Sequence, residues 1–267
     1  GCESGVDPKT VQVGIWSAKD GQDDLKWYTM STSDNVNYWK TVDIGNHDYD
    51  SGIYYAHVYA SDHAGNRALV GTAQLTVGGD KIMGGSLTNS AQLMRYYTSN
   101  AGANNYETYR QDYIADGVTL ERICELYIEC AQAEGVRAEV AFAQAMKETG
   151  WLRFGGQVQP MQYNFAGLGA LDGGAQGFDF RSTYGAGEAG VRAGILAQIQ
   201  HLKCYASTES LNILNSSGQP YDPRWDAAVN KYGRGSSPFI QTLGGKWASD
   251  SNYGYDLANM VTKLLNS

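Results

Sequence analysis

The chain is 267 residues long with a formal charge of −8, enough for two domains and a sizeable core. Its charges divide as 5 basic against 10 acidic residues in 1–79 and 15 against 18 in 80–267, so neither part carries the basic stripe that nucleic-acid binding requires. No apolar run reaches the roughly 18 residues of a membrane-spanning helix, and tyrosine (19) far outnumbers phenylalanine (6), which favours surfaces that are aromatic yet wettable.

At the start, Gly1 in place of Met, with no apolar leader before it, reads as a processed or trimmed chain; Gly1-Cys2 fits a cloning scar better than a lipoprotein cleavage scar. Residues 8–78 read as strands. Val11, Val13 and Ile15 alternate with polar or small residues, the acidic stretch Asp20–Asp24 turns the chain into Leu25–Tyr28, and Ile53–Ala60 is an aromatic-rich run bounded by Gly52 and Asp62–Asn66. Short strands at this spacing predict an all-β, immunoglobulin-like sandwich over residues 1–79. Asp20, Asp23 and Asp24 read more simply as an acidic hairpin than as a calcium turn, and the spacing of His47, His57 and His63 matches no zinc pattern. No metal or cofactor is expected.

The glycine-rich segment Gly78–Ser86 reads as a linker, which places the domain boundary between 79 and 80. Beyond it the period becomes helical. Thr119 caps a helix of Leu120, Ile123, Cys124, Tyr127, Ile128 and Ala131 that Gly135 stops; Val191, Ile195, Ile199 and Leu202, and later Leu257, Met260, Val261, Leu264 and Leu265, recur at three- and four-residue steps. Residues 80–267 are therefore mainly α. Cys124 and Cys130 lie six apart on a helix, about 240° around it, so they do not bridge each other easily. Buried free thiols are expected, with pairing of Cys130 or Cys204 to another cysteine left open.

The stretch Ala141–Gly150 carries the most information. It places one carboxylate, Glu148, near a helix end and on a face shared with Ala141 and Ala145. An apolar wall disfavours the ionised form, so a glutamic acid there keeps its proton nearer neutral pH and can deliver it to a leaving oxygen. That is the work of a glycosidase general acid.

The run Gln144–Trp151, followed by Tyr163–Leu168, resembles the glucosaminidase domains of bacterial cell-wall hydrolases (glycoside hydrolase family 73), with their alanine-rich helix ending Glu-(Ser/Thr)-Gly and a following Asn-Asn-x-(Phe/Ala)-Gly turn. Gly190–Ala193 leading into Gln198–Ala206 resembles the next helix in one branch of that family, and Trp247–Tyr253 resembles its late Tyr-Ala-Thr-Asp-Pro-x-Tyr motif. The likeness covers roughly residues 85–267. Upstream, Gly21–Tyr28 and Gly52–Tyr59 look like a Bsp-like repeat module of Gram-positive wall hydrolases.

The resemblance implies a lysozyme-like helical domain that cleaves peptidoglycan glycan strands after N-acetylglucosamine, secreted or held at the cell wall, acting as a monomer. Glu148 is then the general acid. Glycosidases ordinarily use a second carboxylate, for which Glu188, Asp172, Asp179 and Asp250 are candidates; Glu188 leads, although the first turn of a helix favours an acidic residue for its dipole alone, and Asp250 also reads as a cap for the last helix. A substrate N-acetyl group offers another nucleophile. Asn164 and Phe165 fall on the family's substrate-lining turn, the amide placed for a sugar N-acetyl group and the ring beneath it. Trp247 stands where the motif has tyrosine and brings a donor without an acidic hydroxyl; Tyr253 and Tyr232 supply hydroxyls close by. The rival activities are a muramidase, a lytic transglycosylase and a catalytically weak wall-binding protein.

Overall fold

The computed structural model describes residues 5, 7–19, 21–47, 50, 52–77, 80–102, 116–170, 174, 176–225 and 231–267. The chain divides into two compact units, Gly1–Asp80 and Lys81–Ser267.

The first unit is antiparallel β. Strands β1 (Gln12–Ser17), β2 (Lys26–Thr29), β5 (Gly52–Ser61) and β6 (Arg67–Val77) form a sheet in the order β2-β1-β5-β6, while β3 (Ser31–Thr32) pairs with β4 (Tyr38–Trp39). Burial along β1 departs from the simple alternation its residues imply: Val11 and Val13 are buried but Ile15 only partly, and Gly14 and Trp16, which point to the other face, are buried too. Asp24 lies in the connection of the antiparallel β1–β2 hairpin, as the acidic-hairpin reading has it, but it is not a solvated turn residue. It is buried, accepts the Ser17 N–H on both oxygens at 3.0 Å, and lies 3.0 Å from His47 Nδ1, whose Nε2 meets the Tyr28 hydroxyl at 2.9 Å. A buried carboxylate needs such partners, and a turn reading of its neighbours does not reveal them. Asp20 lies outside the described residues.

The second unit is helical. Among the described residues its helices are α1 (Ser90–Ala101), α2 (Leu120–Glu134), α3 (Ala138–Thr149), α4 (Phe180–Tyr184), α5 (Glu188–Ala206) and α6 (Tyr253–Leu265). Thr119 caps α2 by accepting the Arg122 N–H, and Gly135 ends it at φ 73 in the left-handed region. The expected apolar stripes face inward: Val191, Ile195, Ile199 and Leu202 of α5 are fully buried, as are Leu257 and Leu264 of α6. Cys124 and Cys130 are buried free thiols, as expected, and Cys204 is buried with its Sγ 3.8 Å from the Trp225 carbonyl; Cys2 lies outside the described residues. No described helix is long and apolar enough to cross a membrane.

The glycine-rich segment is less of a linker than its composition implies. Gly78 and Gly79 lie outside the described residues, but Lys81 bridges to Phe239, Ile82 is fully buried, Met83 bridges to Val136, and Ser86 Oγ accepts the Ala138 N–H at 2.9 Å. Residues from Lys81 onward thus belong to the helical unit, because its interior supplies apolar cover and hydrogen-bond partners that composition does not show.

Two close approaches set the geometry around the site. A Cβ on Gly194 of α5 would lie 1.9 Å from the Tyr163 carbonyl oxygen, and one on Gly254 of α6 would lie 2.4 Å from that of Ile240. Backbone meets backbone at both crossings, which only glycine permits. A buried ion pair, Lys203 Nζ to Glu134 Oε2 at 3.0 Å, joins α5 to α2, and the same carboxylate accepts the Asn212 and Ile213 N–H groups and the Gln200 amide. All its oxygens are satisfied, as a buried charge requires.

Candidate active site

Helix α3 is almost wholly inside the protein, and its alanines explain why: Ala138, Ala141, Ala143 and Ala145 let neighbouring helices close around it. Glu148, in the last turn, is the exposed exception. Beyond it the chain leaves in the left-handed region at Gly150, Trp151, Leu152 and Phe154, an uncommon run for bulky residues, held by burial of Leu152 and by its N–H on Thr149 Oγ1 at 2.9 Å.

Glu148 stands in a cleft of about 630 Å³ shared with Tyr205, Trp247 and Tyr253, and a smaller hollow of about 260 Å³ meets it on the other side, with Glu148, Gly167 and Ala170 common to both. The carboxylate is held on one oxygen. Tyr253 donates to Oε1 at 2.5 Å and the Trp247 indole N–H donates to the same atom at 3.1 Å. Oε2 has no hydrogen-bond partner among the described residues.

The Tyr253 hydroxyl is itself the end of a buried chain. Tyr127 donates to Gln198 Oε1 at 2.8 Å, Gln198 Nε2 to Gln144 Oε1 at 3.0 Å, Gln144 Nε2 to the Tyr253 oxygen at 3.1 Å, and Tyr253 to Glu148. Every donor in it points toward the carboxylate. Trp247 is braced separately, edge-on to His201 with ring centroids 4.8 Å apart, and His201 Nδ1 lies 2.7 Å from the buried Asp222.

Crowding by protein and loss of water push the Glu148 carboxyl above its ordinary range even though the side chain opens on the cleft; the Tyr253 and Trp247 hydrogen bonds oppose that rise without cancelling it. Such a group keeps its proton to higher pH than a solvated glutamic acid does.

The profile of the mannosyl-glycoprotein endo-beta-N-acetylglucosaminidase family matches residues 124–266, more than half of the chain, and takes in Glu148, Trp247 and Tyr253. The chain belongs to the glucosaminidase family. Residues 1–75 match the GBS Bsp-like repeat. An uncharacterized protein of Borreliella burgdorferi is 36% identical over 143 residues, which are 54% of this chain and 62% of that relative, so the match spans less than two thirds of the relative's length.

Within this glucosaminidase domain, the structure brings Glu148, Trp247, Tyr253 and Tyr232 to one cleft; Tyr232 donates to the Gly245 carbonyl at 3.3 Å. It does not bring Glu188 there. Glu188, at the start of α5, is clasped by Arg122 at 2.8 and 3.0 Å and by Arg192 at 3.0 Å, and these guanidinium groups hold its carboxyl down at about 2. The positive start of the helix and two arginines account for an acid at that position.

Asn164 and Phe165 also differ from expectation. The Asn164 amide is buried and spent on its own turn: Nδ2 donates to the carbonyls of Leu168 (2.9 Å) and Phe178 (3.1 Å), and Oδ1 accepts the Leu168 N–H at 2.9 Å. Phe165 is fully buried beside Tyr127 and Phe154. Asn164 nevertheless lines the smaller hollow beside Glu148, with its amide committed to holding the wall together, whereas Phe165 plugs that wall from behind. Asp179 caps α4 by accepting the Ser182 N–H, and Asp250 closes the turn before α6 by accepting the Asn252 N–H; Asp172 lies outside the described residues. Gln144, Gln198, Tyr127, His201 and Asp222 were assigned no part from sequence. A buried glutamine facing a buried tyrosine leaves no mark in periodicity, and only the polar residues on otherwise apolar helix faces hint at it.

Proposed function

We propose that the helical unit is an endo-β-N-acetylglucosaminidase that hydrolyses the β-1,4 bond after N-acetylglucosamine in peptidoglycan, outside the cell or at its wall, with Glu148 as general acid. The observation that carries this reading is the asymmetric hold on Glu148. With Oε1 occupied by two donors, the transferable proton sits on Oε2. From there it passes to the departing glycosidic oxygen as the anomeric C–O bond breaks, and the carboxylate left behind is stabilised at once by the Tyr253 and Trp247 donors. With Glu188 clasped by two arginines away from the cleft, this reading gives the substrate N-acetyl oxygen the role of nucleophile that covers the developing positive charge at the anomeric carbon.

Glu148→Gln should fold normally and lose activity by roughly a hundredfold to ten-thousandfold on purified cell walls, the range for removing a general acid. Retention of most activity would remove the assignment. Mass spectrometry of borohydride-reduced digests separates the candidate bonds: reduced N-acetylglucosamine ends support the reading, whereas reduced or anhydro N-acetylmuramic acid ends would replace it with a muramidase or a lytic transglycosylase.

A further inference from the structure

The wall of the larger cleft carries three cations, Arg224, Lys231 and Lys246, in a chain whose net charge is −8. Six other cations of the helical unit are tied to carboxylates, Arg122 to Glu188, Arg137 to Glu139, Lys147 to Asp256, Arg181 to Asp116, Arg192 to Glu129 and Lys203 to Glu134, while Arg95, Arg153 and Arg234, outside the cleft lining, donate to backbone oxygens. None of the three in the cleft has such a partner among the described residues. The two lysines are positioned by uncharged groups instead, Lys246 Nζ on the Ser236 carbonyl at 2.5 Å and Lys231 Nζ 4.8 Å from the centre of the Tyr232 ring.

Two carboxylates close to them in the chain are engaged otherwise. Asp222 accepts from His201 and from the Arg224 backbone N–H, and Asp250 accepts the Asn252 N–H. Among the described residues, the lining of the hollow on the other side of Glu148 includes no cation. Three like charges on one wall repel one another and lower the potential only for an anion, so the two sides of Glu148 differ in the sugar they suit.

We propose that the side bearing Arg224, Lys231 and Lys246 binds carboxylate groups carried by the glycan, which makes the preferred substrate an acidic strand and places its acidic sugar on that side of the cleaved bond. This rests on the cleft being the catalytic site. In peptidoglycan the carboxylate has two sources, the lactyl group of the muramic acid residue once its peptide is removed, and the peptide stem itself. Neutral N-acetylglucosamine polymers carry neither.

The test compares four soluble glycans of equal length: stem-bearing strands, strands stripped of peptide by an amidase, stripped strands with the lactyl carboxyl converted to an amide, and chitin oligomers. kcat/KM and binding, the latter read from tryptophan fluorescence, are measured for the wild type and for the Arg224→Gln, Lys231→Gln, Lys246→Gln triple variant. The wild type should favour carboxylate-bearing strands over amidated ones by about tenfold or more, a preference that fades as salt is added. The triple variant should lose at least about tenfold more on acidic strands than on neutral ones. Preference for stripped over amidated strands assigns the lactyl group; preference confined to stem-bearing strands assigns the peptide. Equal activity of the wild type on acidic and neutral strands, or equal losses of the variant on both, would overturn the inference. Selective binding of acidic strands without hydrolysis would leave it standing and remove the catalytic reading, whereas hydrolysis without selectivity would do the reverse.

Discussion

Four hydrogen bonds run in one direction from Tyr127 through Gln198, Gln144 and Tyr253 to Glu148, so the dipole of each strengthens the next. Their combined effect favours the charged carboxylate, against the loss of water that favours the neutral acid. The sign of a mutation follows. Replacing Tyr253 by Phe deletes a donor that stabilises the anion, so the carboxyl rises further. A general acid works only while protonated, and activity falls as pH passes upward through its pKa. Tyr253→Phe should therefore move the alkaline limb of the kcat profile to higher pH while lowering the maximum rate, because Glu148 is aimed less well; Gln198→Leu, two links away, should move it the same way by less. A limb that stays put or moves to lower pH in Tyr253→Phe would show that Tyr253 does not tune the acid.

At the level of elements, helix α5 is placed by what its glycines leave out. Alanine in a helix interior normally stabilises relative to glycine by roughly 1 kcal/mol. At Gly194 the added methyl would meet the Tyr163 carbonyl at 1.9 Å, a backbone atom that cannot rotate away. Overpacking of this kind costs about 1–3 kcal/mol, and the clash outweighs the propensity. Gly194→Ala should accordingly lower the denaturant midpoint without changing the slope of the transition. A midpoint equal to or above the wild type would mean that α5 and the Tyr163 turn are farther apart than described. The turn before Phe165 and the cleft wall at Gly167 depend on that crossing, so some loss of activity should accompany the loss of stability.

On the scale of the whole molecule, the two units keep separate interiors. The helical unit has a continuous core running from Ile82 to Leu264, while the β unit relies on a small set that includes Val11, Val13, Trp16 and Tyr54. Small cores give marginal stability. Calorimetry of the full chain should show two transitions, the β unit melting first, and a fragment of residues 81–267 should reproduce the second transition and retain hydrolysis of short soluble glycans. A single transition, or a fragment that melts well below the full chain, would show that the units stabilise each other. If the β unit tethers the enzyme to insoluble walls, deleting it costs more on sacculi than on oligosaccharides.

Local chemistry was enough to read much of this protein. The antiparallel strands of the first unit, the Thr119 cap and Gly135 stop of α2, and the apolar stripes of α5 and α6 follow from short-range patterns, and the same holds for Glu148 on its alanine helix. The sequence also pointed to Trp247 and Tyr253, through motif order. What tertiary structure alone decided is which polar groups find one another. Arg122 and Arg192 hold Glu188, Leu168 and Phe178 take up the Asn164 amide, and the glutamine chain behind Tyr253 joins residues up to 109 positions apart. Hydrogen-bond partners and local water content depend on distances across the fold, which spacing along the chain does not contain; those distances separate a catalytic carboxylate from a structural one.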